Sequence, residues 1–200
     1  MEVECSLLSW DHIFELCFKI SSDVRKSGFR PDAIVAVGRG GWIPARIISD
    51  FLNIRDLYSV KAEHWDVAET KDNARITQPI NVDIKGKKIL VVDDVADTGK
   101  TLKVVVNHIK KSGAEKIKSA VLQYKKTSTF SPDYTGEVLE KWVWIVYPWG
   151  ITESLIGFFP KISEFEIKST EELRKIFKER FNLDVSEKLI ELAREIHMST

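Results

Sequence analysis

ILVVDDVADTGKT, residues 89–101, runs from an apolar strand through two neighbouring acids into a short loop of small and hydroxylic residues. The unbroken apolar run Ile89, Leu90, Val91, Val92 is the pattern of a strand buried on both faces of a parallel sheet. Asp93 and Asp94 are expected to end that strand, at the carboxyl edge where ligands of open parallel sheets bind. Two carboxylates there are costly unless a cation or hydroxyl groups meet them. Ala96-Asp97-Thr98-Gly99-Lys100-Thr101 then offers backbone N–H groups to an anion ahead of a helix expected to begin near Thr101, and such a turn holds a phosphate. Acids for sugar hydroxyls beside amides for a phosphate describe a site for a phosphorylated ribose. A Walker A loop is excluded, because it needs a glycine five residues before its second glycine, where Asp94 stands.

Composition narrows the setting. The chain of 200 residues suits one α/β domain with a well-buried core and an appendage. Lys plus Arg and Asp plus Glu number 30 each, so the formal net charge is zero. Nucleic acid therefore has no general electrostatic support as a partner, and a small-molecule ligand is favoured. No apolar run approaches a membrane span, and MEVECSLLSW carries an acid where a signal peptide is basic, so a cytoplasmic protein with no membrane partner is expected. Cys5 and Cys17, the only cysteines, lack partners at metal spacing and are read as packing residues.

Outward from the opening run, Ile13, Leu16, Cys17, Ile20 and Val24 recur at helical spacing, with Ser9 or Asp11 to cap the start and Gly28 to stop the end. A strand over 33–37 leads into the turn Gly38-Arg39-Gly40-Gly41 and a helix over 44–52. That turn is no dinucleotide fingerprint, since Ile43 occupies the place of the third glycine. A strand is expected over 57–61, then a polar segment over 62–81 that forms either a mobile functional loop or a small hairpin. The strand of the opening run starts at 87. Leu102, Val105, Val106 and Ile109 give the next helix its apolar face, and strands follow over 117–124 and 142–147. Alternating strands and helices imply a Rossmann-like, mostly parallel sheet with helices on both faces. From Ser169 the pattern turns helical, opening with a capping box of Ser169 and Glu172 and continuing over 185–196. The expected division is residues 1–168 as the main domain and 169–200 as a C-terminal helical appendage packed on it.

Residues 89–101 also resemble the 5-phosphoribosyl-1-pyrophosphate (PRPP) motif of the type I phosphoribosyltransferases, with Ala96 where a branched aliphatic residue is usual. The turn VGRGGW resembles the pyrophosphate loop of the same family, most closely the VSRGG form of bacterial xanthine-guanine phosphoribosyltransferases, and KWVWIVYPWG resembles their TWIEQPW stretch. The resemblance spans roughly residues 32–150. It implies a Mg²⁺-dependent purine-salvage transferase that moves the phosphoribosyl group of PRPP to a 6-oxopurine base (hypoxanthine, guanine or xanthine) and releases pyrophosphate. In that scheme Asp93 and Asp94 hold the ribose hydroxyls, directly or through the metal's waters, Thr98, Gly99, Lys100 and Thr101 take the 5′-phosphate, and Asp97 faces N7 of the base. Gly38, Arg39, Gly40, Gly41 and Arg75 would take the pyrophosphate, with a cis peptide expected at Arg39–Gly40. Lys125 would donate to O6 of the base, Trp144 stack on it and Ile145 contact its edge through the backbone. The segment with His64, Trp65, Lys71 and Arg75 would close over PRPP. Val146, where the bacterial stretch has an acid, leaves the choice among oxopurines open. A homodimer or homotetramer is expected of such an enzyme. Two alternatives remain at this point: a PRPP- or nucleotide-sensing regulator on the same fold, and a transferase for another base such as uracil.

Overall fold

The computed structural model describes residues 3–64 and 74–199. The chain divides into two compact units, one of Ile13–Trp142 and one of Met1–His12 with Val143–Thr200. These units part at 12/13 and 142/143, and residues 169–200 lie within the smaller one. The cause is strand pairing and burial: β1 (Cys5–Leu7) pairs in parallel with β8 (Trp144–Val146), and the C-terminal helices share a core with that pair.

In the larger unit, β2 (Ala33–Gly38), β3 (Leu57–His64), β4 (Ala74–Gln78), β5 (Lys88–Ala96), β6 (Lys116–Lys125) and β7 (Tyr134–Leu139) form one sheet in the order β4-β3-β2-β5-β6-β7. All neighbours are parallel except β3 and β4, which form an antiparallel pair from the segment read as loop or hairpin. Ala33–Val37 of β2 and Ile89–Val92 of β5 are buried whichever face they point to, as central parallel strands require. Val35, Val37, Ile89, Val91 and Val121 meet Leu102, Val105 and Ile109 of α3 (Lys100–Lys111) on one face. Ile34, Leu90 and Leu122, of opposite parity, are fully buried as well. The helix α2 (Trp42–Phe51) packs against β2 and β5, and α1 (Trp10–Lys26) meets it through Phe14 and Phe18, whose rings stand edge-on to Phe51 at 4.9 and 5.7 Å. Ser9 caps α1 by accepting the His12 N–H at 3.1 Å, and Gly28, at φ 74°, follows its end.

The connectivity reverses between β2 and β5. From β2 the chain passes through α2 to β3 on one side; from β5 it passes through α3 to β6 on the other. The carboxyl ends of these two strands thus flank a topological switch point, the place where open α/β sheets bind ligands. One expectation is corrected here. Asp93 and Asp94 do not end β5, because β6 runs beside it as far as Lys125 and the ladder continues through Asp93↔Val121, Val95↔Gln123 and Ala96↔Tyr124.

The smaller unit builds its own core from Val146, Leu155, Phe159, Leu173, Phe177, Phe181, Ile190 and Ala193. These come from β8, α4 (Ile151–Phe158), a 3₁₀ turn (Phe159–Lys161), α5 (Thr170–Phe181) and α6 (Glu187–Ser199). The capping box is present: Ser169 Oγ accepts the Glu172 N–H at 3.2 Å, and the Glu172 carboxylate accepts the Ser169 N–H at 2.7 Å. Among the described residues, no helix is long and apolar enough to cross a membrane.

Candidate active site

Two strand-to-helix turns meet at the switch point. The first, between β2 and α2, closes with the Gly41 N–H donating to the Val37 carbonyl at 2.8 Å and the Trp42 N–H to the Arg39 carbonyl at 3.2 Å. Its glycines are set by space. A Cβ on Gly40 would collide with the Asp94 carboxylate, and one on Gly41 would collide with the carbonyls of Val92 and Val37. The cis peptide falls at Gly38–Arg39, one bond earlier than expected, at the residue where β2 ends beside Lys61 of β3. Arg39 and Arg75 both act on the half-buried Glu63, whose carboxyl is held below its usual range chiefly by a hydrogen bond from Lys61 and further by these two guanidinium groups. Two residues expected at the pyrophosphate are thus brought to one neighbourhood. Arg75 stands opposite Glu63 in the β3–β4 pair. Trp65 and Lys71 lie outside the described residues, and of His64 only the backbone, opposite Ala74, is described.

The second turn, between β5 and α3, borders a cavity of about 190 Å³ lined by Asp93, Asp94, Asp97, Thr98, Gly99 and Thr101, with Val95 and Leu102. Gly99 adopts φ 80°, the left-handed region, and caps α3; a Cβ there would lie 2.5 Å from Ser128 Oγ and 2.6 Å from Phe130. Thr129 pins the turn from outside, its N–H and hydroxyl both donating to the Thr98 carbonyl at 3.0 and 2.8 Å. The Lys100 N–H approaches Thr98 Oγ1 at 3.4 Å. The cavity therefore sits at the start of a twelve-residue helix, where the partial positive charge of the helix end favours an anion.

Asp93 is buried and Asp94 half-buried, each oriented by a local backbone bond: the Asp94 N–H donates to Asp93 Oδ1 at 3.0 Å and the Val95 N–H to Asp94 Oδ1 at 2.7 Å. Burial, and then the charge of Asp94, pushes the Asp93 carboxyl well above its usual range; burial pushes Asp94 up to about 6. Such a pair is relieved by a divalent cation, and its hard oxygens suit Mg²⁺. Among the described residues no group of three or more acidic, His or Cys side chains forms a metal cage. That fits an ion held by one or two carboxylates and completed by water and the phosphates of a substrate.

Asp97, on the same cavity as the acid pair, is paired with Lys125, whose Nζ donates to Asp97 Oδ2 at 3.0 Å. The lysine side chain is only 5% exposed against 42% for the aspartate, so the ammonium is fixed by the fold and the carboxylate faces the opening. Trp142, which the sequence left unassigned, lies with its ring centroid 4.6 Å from the same ammonium. The signal for it was present as the first tryptophan of KWVW. Trp144 and Ile145 belong to β8 of the smaller unit, where Trp144 is 43% exposed and packs edge-on to Phe158, and Ile145 lies opposite Ser6. Ser128, Thr129 and Phe130, which buttress the phosphate-sized turn, were also unassigned; their only signal was a hydroxyl-rich stretch after β6.

The class that this architecture defines is an α/β enzyme for a phosphorylated sugar bound at the switch point of a parallel sheet. Within that class the chain belongs to the phosphoribosyl transferase family: the model of the phosphoribosyl transferase domain matches residues 6–153. It is 33% identical over 118 residues to a xanthine-guanine phosphoribosyltransferase of Idiomarina loihiensis, covering 58% of this chain and 69% of that protein. Among solved structures it is similar to the purine phosphoribosyltransferase of Pyrococcus horikoshii, with 38% identity, a TM-score of 0.65, and coverage of 72% of this chain and 93% of that one. A protein of Neisseria gonorrhoeae with bound ppGpp matches with 30% identity, a TM-score of 0.66, and coverage of 74% of this chain and 90% of that one.

Proposed function

We propose that the protein is a purine-salvage phosphoribosyltransferase that joins the 5-phosphoribosyl group of PRPP to a 6-oxopurine, hypoxanthine, guanine or xanthine, and releases pyrophosphate. The observation that carries this reading is the pairing of Asp97 with Lys125 beside the phosphate-sized turn. A carboxylate that can accept a proton from a base and a buried ammonium that can donate to its carbonyl stand within one hydrogen bond of each other. Adenine carries an amino group in place of that carbonyl, so it would leave the ammonium unpaired.

N9 of the base forms its bond to C1 of the ribose as the bond from C1 to pyrophosphate breaks. Asp97 at N7 takes the proton that the base gives up. Thr98, Thr101 and the amides of Gly99 and Lys100 hold the 5′-phosphate, while the Gly38–Gly41 turn with Arg39 and Arg75 holds the pyrophosphate. Asp93 and Asp94 hold the ribose hydroxyls and, with the substrate's oxygens, would hold Mg²⁺, which when bound neutralises the charge of the leaving group. Trp144 keeps its base-stacking assignment on the resemblance. No protein nucleophile is needed; positioning and charge stabilisation supply the rate.

Incubation with PRPP, Mg²⁺ and a panel of bases, followed by separation of the nucleotides, tests the reading. Formation of the monophosphates of hypoxanthine, guanine or xanthine, and not of adenine or uracil, is the expected result. Nucleotide sensing is a second reading, supported by the similarity to a protein solved with ppGpp bound. Tight nucleotide binding without turnover of any base would favour it.

A further inference from the structure

We propose that Trp142 is a positioning residue for base selection, its indole face holding the Lys125 ammonium in place when Asp97 leaves it for the base. The proposal rests on the reading above, in which Lys125 meets the carbonyl of a 6-oxopurine. Lys125 is the last residue of β6, its side chain is 5% exposed, and its Nζ has two described supports: Asp97 Oδ2 at 3.0 Å and the Trp142 ring at 4.6 Å. These supports differ in kind. The carboxylate occupies an N–H of the ammonium, whereas an aromatic face attracts the charge without requiring one N–H to point along one line. When Asp97 turns to N7, the buried charge would lose its carboxylate and pay for its desolvation. The ring keeps the ammonium seated and leaves its N–H groups to the carbonyl of the base.

The fold brings the ring there. Lys125 lies opposite Leu139 at the end of β7, the Lys126 N–H donates to the Leu139 carbonyl at 3.1 Å, and the chain reaches Trp142 three residues later. Trp142 is 47% exposed and so is not a core side chain placed by burial alone. Asp97, Lys125 and Trp142 all belong to the larger unit.

Three variants of the full chain test this: Trp142→Leu, Trp142→Phe and, as reference, Lys125→Met. For each, kcat and KM are measured for hypoxanthine, guanine and adenine and for PRPP, alongside the thermal midpoint. Trp142→Leu is expected to raise KM for the oxopurines about tenfold, to leave KM for PRPP within about twofold, and to narrow the guanine-to-adenine ratio of kcat/KM; Trp142→Phe, which keeps an aromatic face, restores most of the loss. Should the leucine variant fail to fold, Trp142→Met takes its place. Unchanged oxopurine KM in Trp142→Leu, with a raised KM in Lys125→Met, overturns the role of Trp142 and leaves that of Lys125 standing. Unchanged KM in Lys125→Met overturns the assignment of Lys125 and the proposal with it. Equal losses toward base and PRPP in the leucine variant, not rescued by phenylalanine, mark a purely structural residue and overturn the proposal too.

Discussion

The two turns at the switch point join strand to helix in the same place of the fold, yet they solve the problem in opposite ways. The β2–α2 turn works by missing atoms: Gly40 and Gly41 have neighbours where any Cβ would stand, Asp94 in one case and main-chain carbonyls in the other. The β5–α3 turn works by the atoms it has, the carboxylate of Asp97 and the hydroxyls of Thr98 and Thr101, with one glycine in a left-handed conformation. Close approach of backbone to its protein neighbours is the resource of the first, and side-chain chemistry that of the second. Substitution should therefore damage the first turn through the fold and the second through the reaction.

The largest effect is expected at Gly41. Its contacts are backbone atoms that cannot swing aside, so Gly41→Ala should cost about 3 kcal/mol or more of stability and abolish turnover, read by denaturant unfolding and by the nucleotide assay. A folded, active variant would dissolve the contrast between the turns. Next comes Asp97→Asn, which removes the proposed proton acceptor while keeping the shape. Turnover should fall by roughly 10²–10⁴-fold, with PRPP binding by calorimetry and the thermal midpoint nearly unchanged. Gly99→Ala combines about 1–2 kcal/mol for the left-handed residue with a Cβ 2.5 Å from Ser128 Oγ and 2.6 Å from the Phe130 main-chain N, so its loss of stability in denaturant unfolding should approach that of Gly41→Ala. A much smaller loss at Gly99 would mean that Ser128 and Phe130 give way where the neighbours of Gly41 do not.

The smallest effect concerns pH. Burial raises the Asp94 carboxyl to about 6 in the folded protein, so the protonated form is favoured there relative to the unfolded chain. Its contribution to stability is complete below the ordinary carboxylate range and is lost as pH rises through about 6. The ligand-free protein should thus lose stability between about pH 4 and 6, and Asp94→Asn should flatten that slope in a series of thermal melts. Binding of Mg²⁺ with PRPP, which uses the charged form, should tighten over the same interval.

Much of the larger unit could be read directly from residues. Four consecutive apolar residues in β5, the glycine turn after β2 and the helical spacing in α1 each force one local outcome, and the order of strands and helices then allows few topologies. The extra length of β5 could not be read, because acids at a strand end and acids inside a strand look alike until the partner strand is known. The strands β1 and β7 escaped for another reason. Cys5–Leu7 is too short for a period, and β7 carries Gly136, whose want of a side chain accommodates Leu16: a Cβ there would lie 3.1 Å from Leu16. The division of the chain was hidden as well, since it depends on pairing between residues 5–7 and 144–146, far apart in sequence. Among the residues proposed for the site, Asp93, Asp94, Asp97, Thr98, Gly99 and Thr101 carry a fixed motif and line one cavity, whereas the role proposed for Trp142 comes from a neighbour seventeen positions away and from no pattern of its own.

The continuation of β5 through Asp93 and Asp94 has a consequence for how the two acids can change. Neighbouring residues of a strand leave it on opposite sides, so the two acids that meet at this cavity reach it from different positions and are not interchangeable. Both line the one cavity but in different surroundings: Asp94 is half-buried and meets Gly40, whereas Asp93 is buried. Inserting or deleting one residue anywhere between Lys88 and Asp93 would exchange their surroundings at a stroke, turning the acid that meets Gly40 inward. The spacing from the start of the strand to its acids is thus as much a part of the site as the acids themselves.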